Sequence, residues 1–418
     1  GLLIREHMLK SIDEEAAFAD WAELPFHLAR YELRGPNRHV SDRPTILEML
    51  ALRKAAQRFF EQECVPHRED WEKAGMAPDS IWRRAGELGL LCMSIPAEYG
   101  GGGGDILHSI VLIEEQARSG CASPMLSLHN DVVAPYLLHY GREDQKHHYL
   151  PRMASGELIG AVAMTEPQSG SDLRGIRTTA TREGDHWRVS GRKTFISHGC
   201  TAGLIVLAAK TRGEGSDERI SLFLVETAGL HGFHASQPLH KLGQGAADTA
   251  ELAFDNVKLP LNALLGESTG AGFQQLTARL VEERLMTGAA AVALMDAAIE
   301  ATVAYVKERR AFGQRVMDFQ NTRFKLAEAR TEATVARTFL ESCVLQFLNG
   351  ALSPAEAAML KYWTTDLQCS IVDACVQLHG GYGYILDYPI ARMWCDSRIA
   401  KIYGGANEIM KEIIGRSL

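Results

Sequence analysis

The chain has 418 residues, 46% hydrophobic and 23% charged, the balance of a globular protein with length for two or three domains and a large buried core. Its net charge of −8 argues against nucleic acid or an anionic membrane as the main partner. The 8 cysteines include no CxxC pair, which favours free buried thiols in a reducing compartment over a disulfide framework or a metal centre.

Residues 1–45 show no clear period and read as an extension; Arg5, Glu6 and Lys10 interrupt any signal-peptide apolar run at the start. From Ile46 the spacing turns helical, with Met49, Leu52, Ala56 and Phe59 on one face. Pro78-Asp79-Ser80 reads as a helix start leading to Ile81, Ala85 and Leu88, with Gly89 ending the turn. Five glycines, Gly100 to Gly104, resemble a phosphate loop only superficially. Pro96–Tyr99 precedes them and Asp105 follows, so a connection with Asp105 as N-cap is the better reading. Helix continues through roughly Ala154.

Between 158 and 262 the texture is β. Runs at His186–Val189, Leu204–Leu207, Ile220–Val225 and Ala250–Phe254 are separated by turns such as Glu183-Gly184-Asp185 and Gly213-Glu214-Gly215, and Pro260 closes the region. From Gly272 to the end the chain is helical again, with Ser353-Pro354-Ala355-Glu356 as a capped helix start. Leu285–Val306 is apolar but contains Asp296 and Glu300, so no membrane span is expected. In the loop after Leu158–Val162, Glu166-Pro167 breaks the apolar run. Ser169 to Asp172 then offer backbone N–H groups and hydroxyls to a flat polar ligand, although a plain corner would read the same way.

Five stretches in this order carry a resemblance: Ala163–Asp172, Lys193–Ser197, Arg309–Gly313, Gln377–Gly383 and Ile402–Ile409. The chain from about Ile46 to Leu418 resembles the acyl-CoA dehydrogenases, FAD enzymes that desaturate acyl-CoA thioesters. The resemblance implies an α+β fold: an N-terminal helical domain (46–157), a middle antiparallel β-barrel-like domain (158–262) and a C-terminal four-helix bundle (263–418). It also implies a homotetramer, in the cytoplasm of a bacterium or the mitochondrial matrix of a eukaryote.

By the same resemblance Val162, Met164, Thr165, Gly170 and Ser171 contact FAD, with Thr165 at the edge of the isoalloxazine. Phe195, Ile196 and Ser197 cover its other side, Ser197 near N5; apolar cover with a few fixed donors is what such a ring needs. Arg309, Gln320, Gln377, Gly380 and Gly381 reach the FAD of a neighbouring subunit, Arg309 suiting a pyrophosphate. Ala406, Asn407 and Glu408 complete the contacts. Taken without the resemblance, Phe195-Ile196 is a strand packing inward and Arg309 a solvated charge. His198 and Ala406 depart from the commonest residues, Asn and Thr.

The implied reaction removes an α-proton and passes the β-hydrogen to flavin N5 as hydride, giving the trans-2-enoyl-CoA and sending electrons to an electron-transfer flavoprotein. Many members place the base Glu before the glycine matching Gly405, where this chain has Gly404. Glu283 matches the base position of the long-chain and isovaleryl branch. Leu276, Leu280, Glu283, Thr287, Ala290 and Leu294 share one helical stripe, and a carboxylate there costs free energy unless it is paired or used. Burial would raise its pKa toward that of a useful base, whereas a solvated Glu282-Glu283-Arg284 band is the bland alternative. Ser171, Arg284, Gly404, Gly405 and Arg416 match substrate contacts, Gly404 through its N–H at the thioester carbonyl. An O₂-using acyl-CoA oxidase on the same fold and a non-catalytic flavin-bound scaffold are the competing readings.

Overall fold

The computed structural model describes residues 46–212 and 218–418; the extension 1–45 and the expected turn Gly213-Glu214-Gly215 lie outside the described residues. Helices α1 (Ile46–Arg58), α2 (Arg68–Ala74), α3 (Asp79–Glu87), α4 (Ile106–Ser119), α5 (Ala134–Tyr140) and α6 (Glu143–Ala154) form the first region. Met49, Leu52, Ala56 and Phe59 are buried together, as their spacing predicts. The glycine run is a folded connection. The N–H groups of Gly101, Gly102, Gly103 and Gly104 are spent on the carbonyls of Pro96, Cys92, Ile95 and Met93, so none is left to cradle a phosphate. Asp105 caps α4 by accepting from Leu107 N at 3.0 Å.

The middle region is one curled sheet of β1 (Gly160–Ala163), β2 (Thr179–Glu183), β3 (His186–Ser197), β4 (Leu204–Arg212), β5 (Glu218–Glu226), β6 (Phe233–Ala235) and β7 (Thr249–Pro260). Most pairs are antiparallel, but β1 and β2 both run parallel to β4. Because β5 occupies one edge of β4 throughout, β1 and β2 share the other edge. They are one strand interrupted. β1 leaves opposite Leu207 and β2 returns opposite Lys210. Residues 164–178 leave the sheet through that break, the single feature of the fold that most directly shapes the site.

The last region comprises α7 (Gly272–Glu308), the ribbon β8 (Arg310–Ala311) and β9 (Gln314–Arg315), then α8 (Gln320–Leu348), α9 (Pro354–His379), α10 (Pro389–Ser397) and α11 (Asn407–Ser417). α7, α8, α9 and α11 form the bundle, with α7 also packed on α4. By length and composition α7 could cross a membrane, yet it is the central bundle helix, with Leu285, Ala289, Val292, Ala298 and Ile299 in the core. Ser353 Oγ accepts from Glu356 N at 3.1 Å while Glu356 reaches back to Ser353 N, the expected capping box of α9. Arg337 of α8 bonds Glu114 of α4 and Asp296 of α7, and Arg53 of α1 bonds Glu114 and Glu115, so a charged network ties the first region to the bundle.

Candidate active site

The break in the sheet is held open by a buried ion pair. Lys193 Nζ of β3 lies 2.8 Å from Glu166 Oε1 and donates to Met164 O at 3.0 Å. Glu166 also accepts from the backbone N–H groups of Arg177 at 2.6 Å and Thr178 at 3.0 Å, and Thr165 O accepts from Thr194 N. Burial alone would raise the Glu166 carboxyl, but Lys193 and these donors bring it down to about 2. Burial likewise lowers Lys193 to about 8, so both remain charged at neutral pH. Sequence reasoning quoted both residues inside motifs and assigned neither this role; an acid and a base in two β-region motifs were the available signal.

Anchored at Glu166, the loop stays open at its tip. Gly170 and Ser171 are exposed, and a Cβ on Gly170 would meet nothing within 4 Å. Thr165 is half-buried, and Val162 and Met164 pack partly against the core between α5, α6 and strands β4 and β5. Opposite the loop, β3 carries a bulge between Lys193 and Ile196. Phe195 takes a left-handed φ of 56° there, which turns its ring out to 68% exposure while Ile196 goes into the sheet core. The inward-packing reading therefore holds for Ile196, whose side chain is core and leaves only its backbone for a ligand. Phe195 instead offers an apolar ring beside polar backbone, with half-buried Ser197 closing the strand.

Of the two departures, His198 has a local explanation. His198 has a left-handed φ of 59°, a conformation in which Asn and His are both enriched, and its Nδ1–H donates to Gly160 O at 3.0 Å. On the other side of that residue Gly160 N donates to His129 Nδ1, so two neutral imidazoles clamp the start of β1. Burial lowers both, His129 to about 3. Ala406 is the N-cap of α11 and supplies no side-chain acceptor, where Thr would.

A second recess lies at the end of the bundle. Arg309, Gln377, Gly380, Gly381, Tyr382 and Val316 line a depression of about 470 Å³. Arg309 sits with its guanidinium 5.5 Å from the Tyr382 ring centroid, and Cβ atoms on Gly380 or Gly381 would meet nothing within 4 Å. An exposed cation beside open backbone suits a diphosphate. No residue of the sheet lines this recess, so the open loop and the recess are separate surfaces of one chain. Gln320 begins α8 on the exposed surface and is not among the lining residues; Val316 and Tyr382 are, and sequence reasoning missed them.

Glu283 is buried on α7 at 8% exposure, and Tyr136 Oη of α5 donates to its Oε1 at 3.1 Å. Burial raises its carboxyl to about 6, against the lowering effect of Tyr136, Arg279 and Arg284. Arg279 instead ion-pairs Glu282. The neighbouring stripe is only partly buried at Leu280, Thr287, Ala290 and Leu294, while the deepest face of α7 lies elsewhere. A Cβ at Gly404 would lie 3.5 Å from Thr287 Oγ1, one turn beyond Glu283, so Gly404 faces the stretch of α7 that carries Glu283. Gly404 and Gly405 both have positive φ, 63° and 91°.

Lys361 of α9, fully buried, fixes that turn by donating to Gly405 O at 2.7 Å and Asn407 Oδ1 at 2.9 Å. The Asn407 amide is committed to Thr365, Asp366 and Tyr362, so its side chain holds α11 on α9 and leaves none of its bonds for a cofactor. Arg284 is buried beside Glu283 with its Nε unpartnered. Glu408 is exposed in the first turn of α11, and Arg416 is exposed and paired with Glu412 at 2.6 Å. Arg416 is not brought to the Glu283 neighbourhood by any of these contacts.

Comparison with known proteins matches this architecture region by region. Models of the acyl-CoA dehydrogenase N-terminal, middle and C-terminal domains match residues 48–157, 161–257 and 270–418. The mitochondrial long-chain specific acyl-CoA dehydrogenase of Sus scrofa is 46% identical over 88% of this chain and 85% of its own length. An acyl-CoA dehydrogenase structure from Geobacillus kaustophilus has a TM-score of 0.85 at 43% identity, covering 88% of this chain and 97% of that one. A Mycobacterium smegmatis glutaryl-CoA dehydrogenase in complex with FADH2 has a TM-score of 0.82 at 28% identity, covering 88% and 94%. Fold, site and relatives together define an FAD-dependent oxidoreductase. The chain belongs to the acyl-CoA dehydrogenase family.

Proposed function

We propose that this enzyme converts a long-chain acyl-CoA to its trans-2-enoyl-CoA, with Glu283 as the base and an electron-transfer flavoprotein as acceptor. The observation that carries the reading is Glu283 itself: a buried carboxylate with its pKa raised to about 6, across from a Gly404 that cannot take a proton. Similarity to long-chain enzymes supports the substrate class. The acceptor, the homotetramer, the domain limits 46–157, 158–262 and 263–418, and a place in the bacterial cytoplasm or mitochondrial matrix follow from the family resemblance.

In this reading the α-proton passes to Glu283 while negative charge gathers on the thioester carbonyl oxygen. The Gly404 N–H, in a turn fixed by Lys361, donates to that oxygen, and Arg284 adds positive charge nearby. The loop 162–171 and Phe195 would hold the ring of FAD, and Arg309, Gln377, Gly380 and Gly381 would hold the phosphate part of a neighbour's FAD. Bound FAD supplies the acceptor for the β-hydrogen.

The test is anaerobic addition of saturated acyl-CoAs of increasing length to the holoenzyme and to Glu283→Gln. Bleaching of the flavin with long chains in wild type, slowed at least about a thousandfold in Glu283→Gln, is the expected outcome. Equal bleaching in both removes Glu283 as base. Repeating the reaction in air, with and without an electron-transfer flavoprotein, separates dehydrogenase from oxidase.

A further inference from the structure

Glu283 is met by one side-chain donor among the described residues, and it comes from a different region of the chain. Tyr136 of α5 is fully buried, and its hydroxyl donates to Oε1 at 3.1 Å. A buried phenol needs a partner, and here it takes the one group whose proton state the reaction depends on. The other carboxylate oxygen, Oε2, receives no hydrogen bond from the described residues. Arg279 is drawn to Glu282, and Arg284 leaves its Nε unpaired. One oxygen is pinned and the other is left to receive a proton.

We propose that Tyr136 is a positioning residue for the base: it fixes the Glu283 carboxylate through Oε1, directs Oε2 to the substrate and stabilises the ionised form. The proposal rests on the reading of Glu283 as base. The phenol itself cannot be the base, because burial and Glu283 push its pKa well above the tyrosine range. The other groups facing this spot do not duplicate its effect. From α5, Tyr140 is raised by burial, and His139 is lowered by burial and by Arg279 and Lys146. From α7, Arg279 and Arg284 keep their charge throughout the working range. From α9, Lys361 lies beyond Arg284 and is lowered to about 8, so its titration belongs to the alkaline side.

The experiment is the pH profile of kcat/KM for Tyr136→Phe holoenzyme against wild type, with Glu283→Gln in parallel. Loss of the donated bond moves the acid limb up by about one pH unit, so activity at pH 6 falls about fivefold, at pH 5 about tenfold and at pH 8 by much less. An acid limb that stays in place, or a loss equal at every pH, overturns the assignment. If Glu283→Gln is inactive while the Tyr136→Phe limb is unmoved, the base stands and only the Tyr136 assignment falls. If Glu283→Gln keeps its flavin-reduction rate, both fall. Should Tyr136→Phe fail to fold, 3-fluorotyrosine at position 136 keeps the shape with a more acidic hydroxyl. It moves the acid limb down, and an unmoved limb there overturns the assignment too.

Discussion

At the scale of the residue, the buried Glu283 carboxyl costs stability where it is ionised. Its folded pKa is raised from 4.5 to about 6, so its favourable contribution is complete below 4.5 and is lost as pH rises through 6. At pH 7.5 the charged, buried carboxylate costs about 2 kcal/mol. Glu283→Gln is therefore expected to unfold at a higher temperature than wild type at pH 7.5, with the difference vanishing near pH 4.5, while flavin reduction is lost. Thermal unfolding of the two holoenzymes at both pH values checks this. The opposite sign holds for Glu166. Its depressed carboxyl stabilises fully above 4.5 and loses that contribution as pH falls toward 2.

At the scale of the element, the cofactor loop depends on Lys193. Lys193→Met leaves Glu166 buried without its cation and is expected to destabilise the protein by about 3–5 kcal/mol. Because the pair anchors residues 164–178, the same variant should purify with less flavin per chain, read from the visible spectrum after gel filtration; full flavin content would contradict it. Here the limit of sequence reading is physical. The helices and four strands were legible because 3.6- and 2-residue periods and caps such as Ser353–Glu356 are local. The break between β1 and β2 was not, because parallel pairing with β4 joins residues far apart in the chain. The same applies within the site. Glu283 stood out as a carboxylate on an apolar stripe, whereas its partner Tyr136 is 147 positions away and looks like any core aromatic. Phe195 and Ile196 could not be told apart until the bulge turned one outward.

At the scale of the whole molecule, the two surfaces proposed to hold FAD lie in different regions, and the family's typical tetramer offers a way to join them. Phe312 in the β8–β9 turn, with Tyr384 and Leu386 after α9, is strongly exposed in the single chain, apolar surface that assembly would cover. Arg309, beside the first of these, is expected to serve a neighbour's cofactor. Arg309→Leu should weaken FAD binding about ten- to a hundredfold, the range for losing a charge-assisted bond, without altering the unfolding of the sheet region. Flavin retention on dilution, followed together with molecular mass, measures it. Unchanged retention would remove Arg309 from the cofactor site. The charged network of Arg53, Glu114, Arg337 and Asp296 ties the first region to the bundle that carries the Arg309 recess.

The interrupted strand has a consequence for how this fold tolerates change. An insertion inside β4 would shift every pair with β5 on one side of it and turn core residues outward. An insertion between 167 and 172 alters nothing in the ladder, since the chain has already left the sheet opposite Leu207 and re-enters opposite Lys210 whatever its path between. Ligand contacts in that excursion can be rewritten while the scaffold keeps its register. The break thus separates the parts of the sequence free to diverge from those that must stay in step.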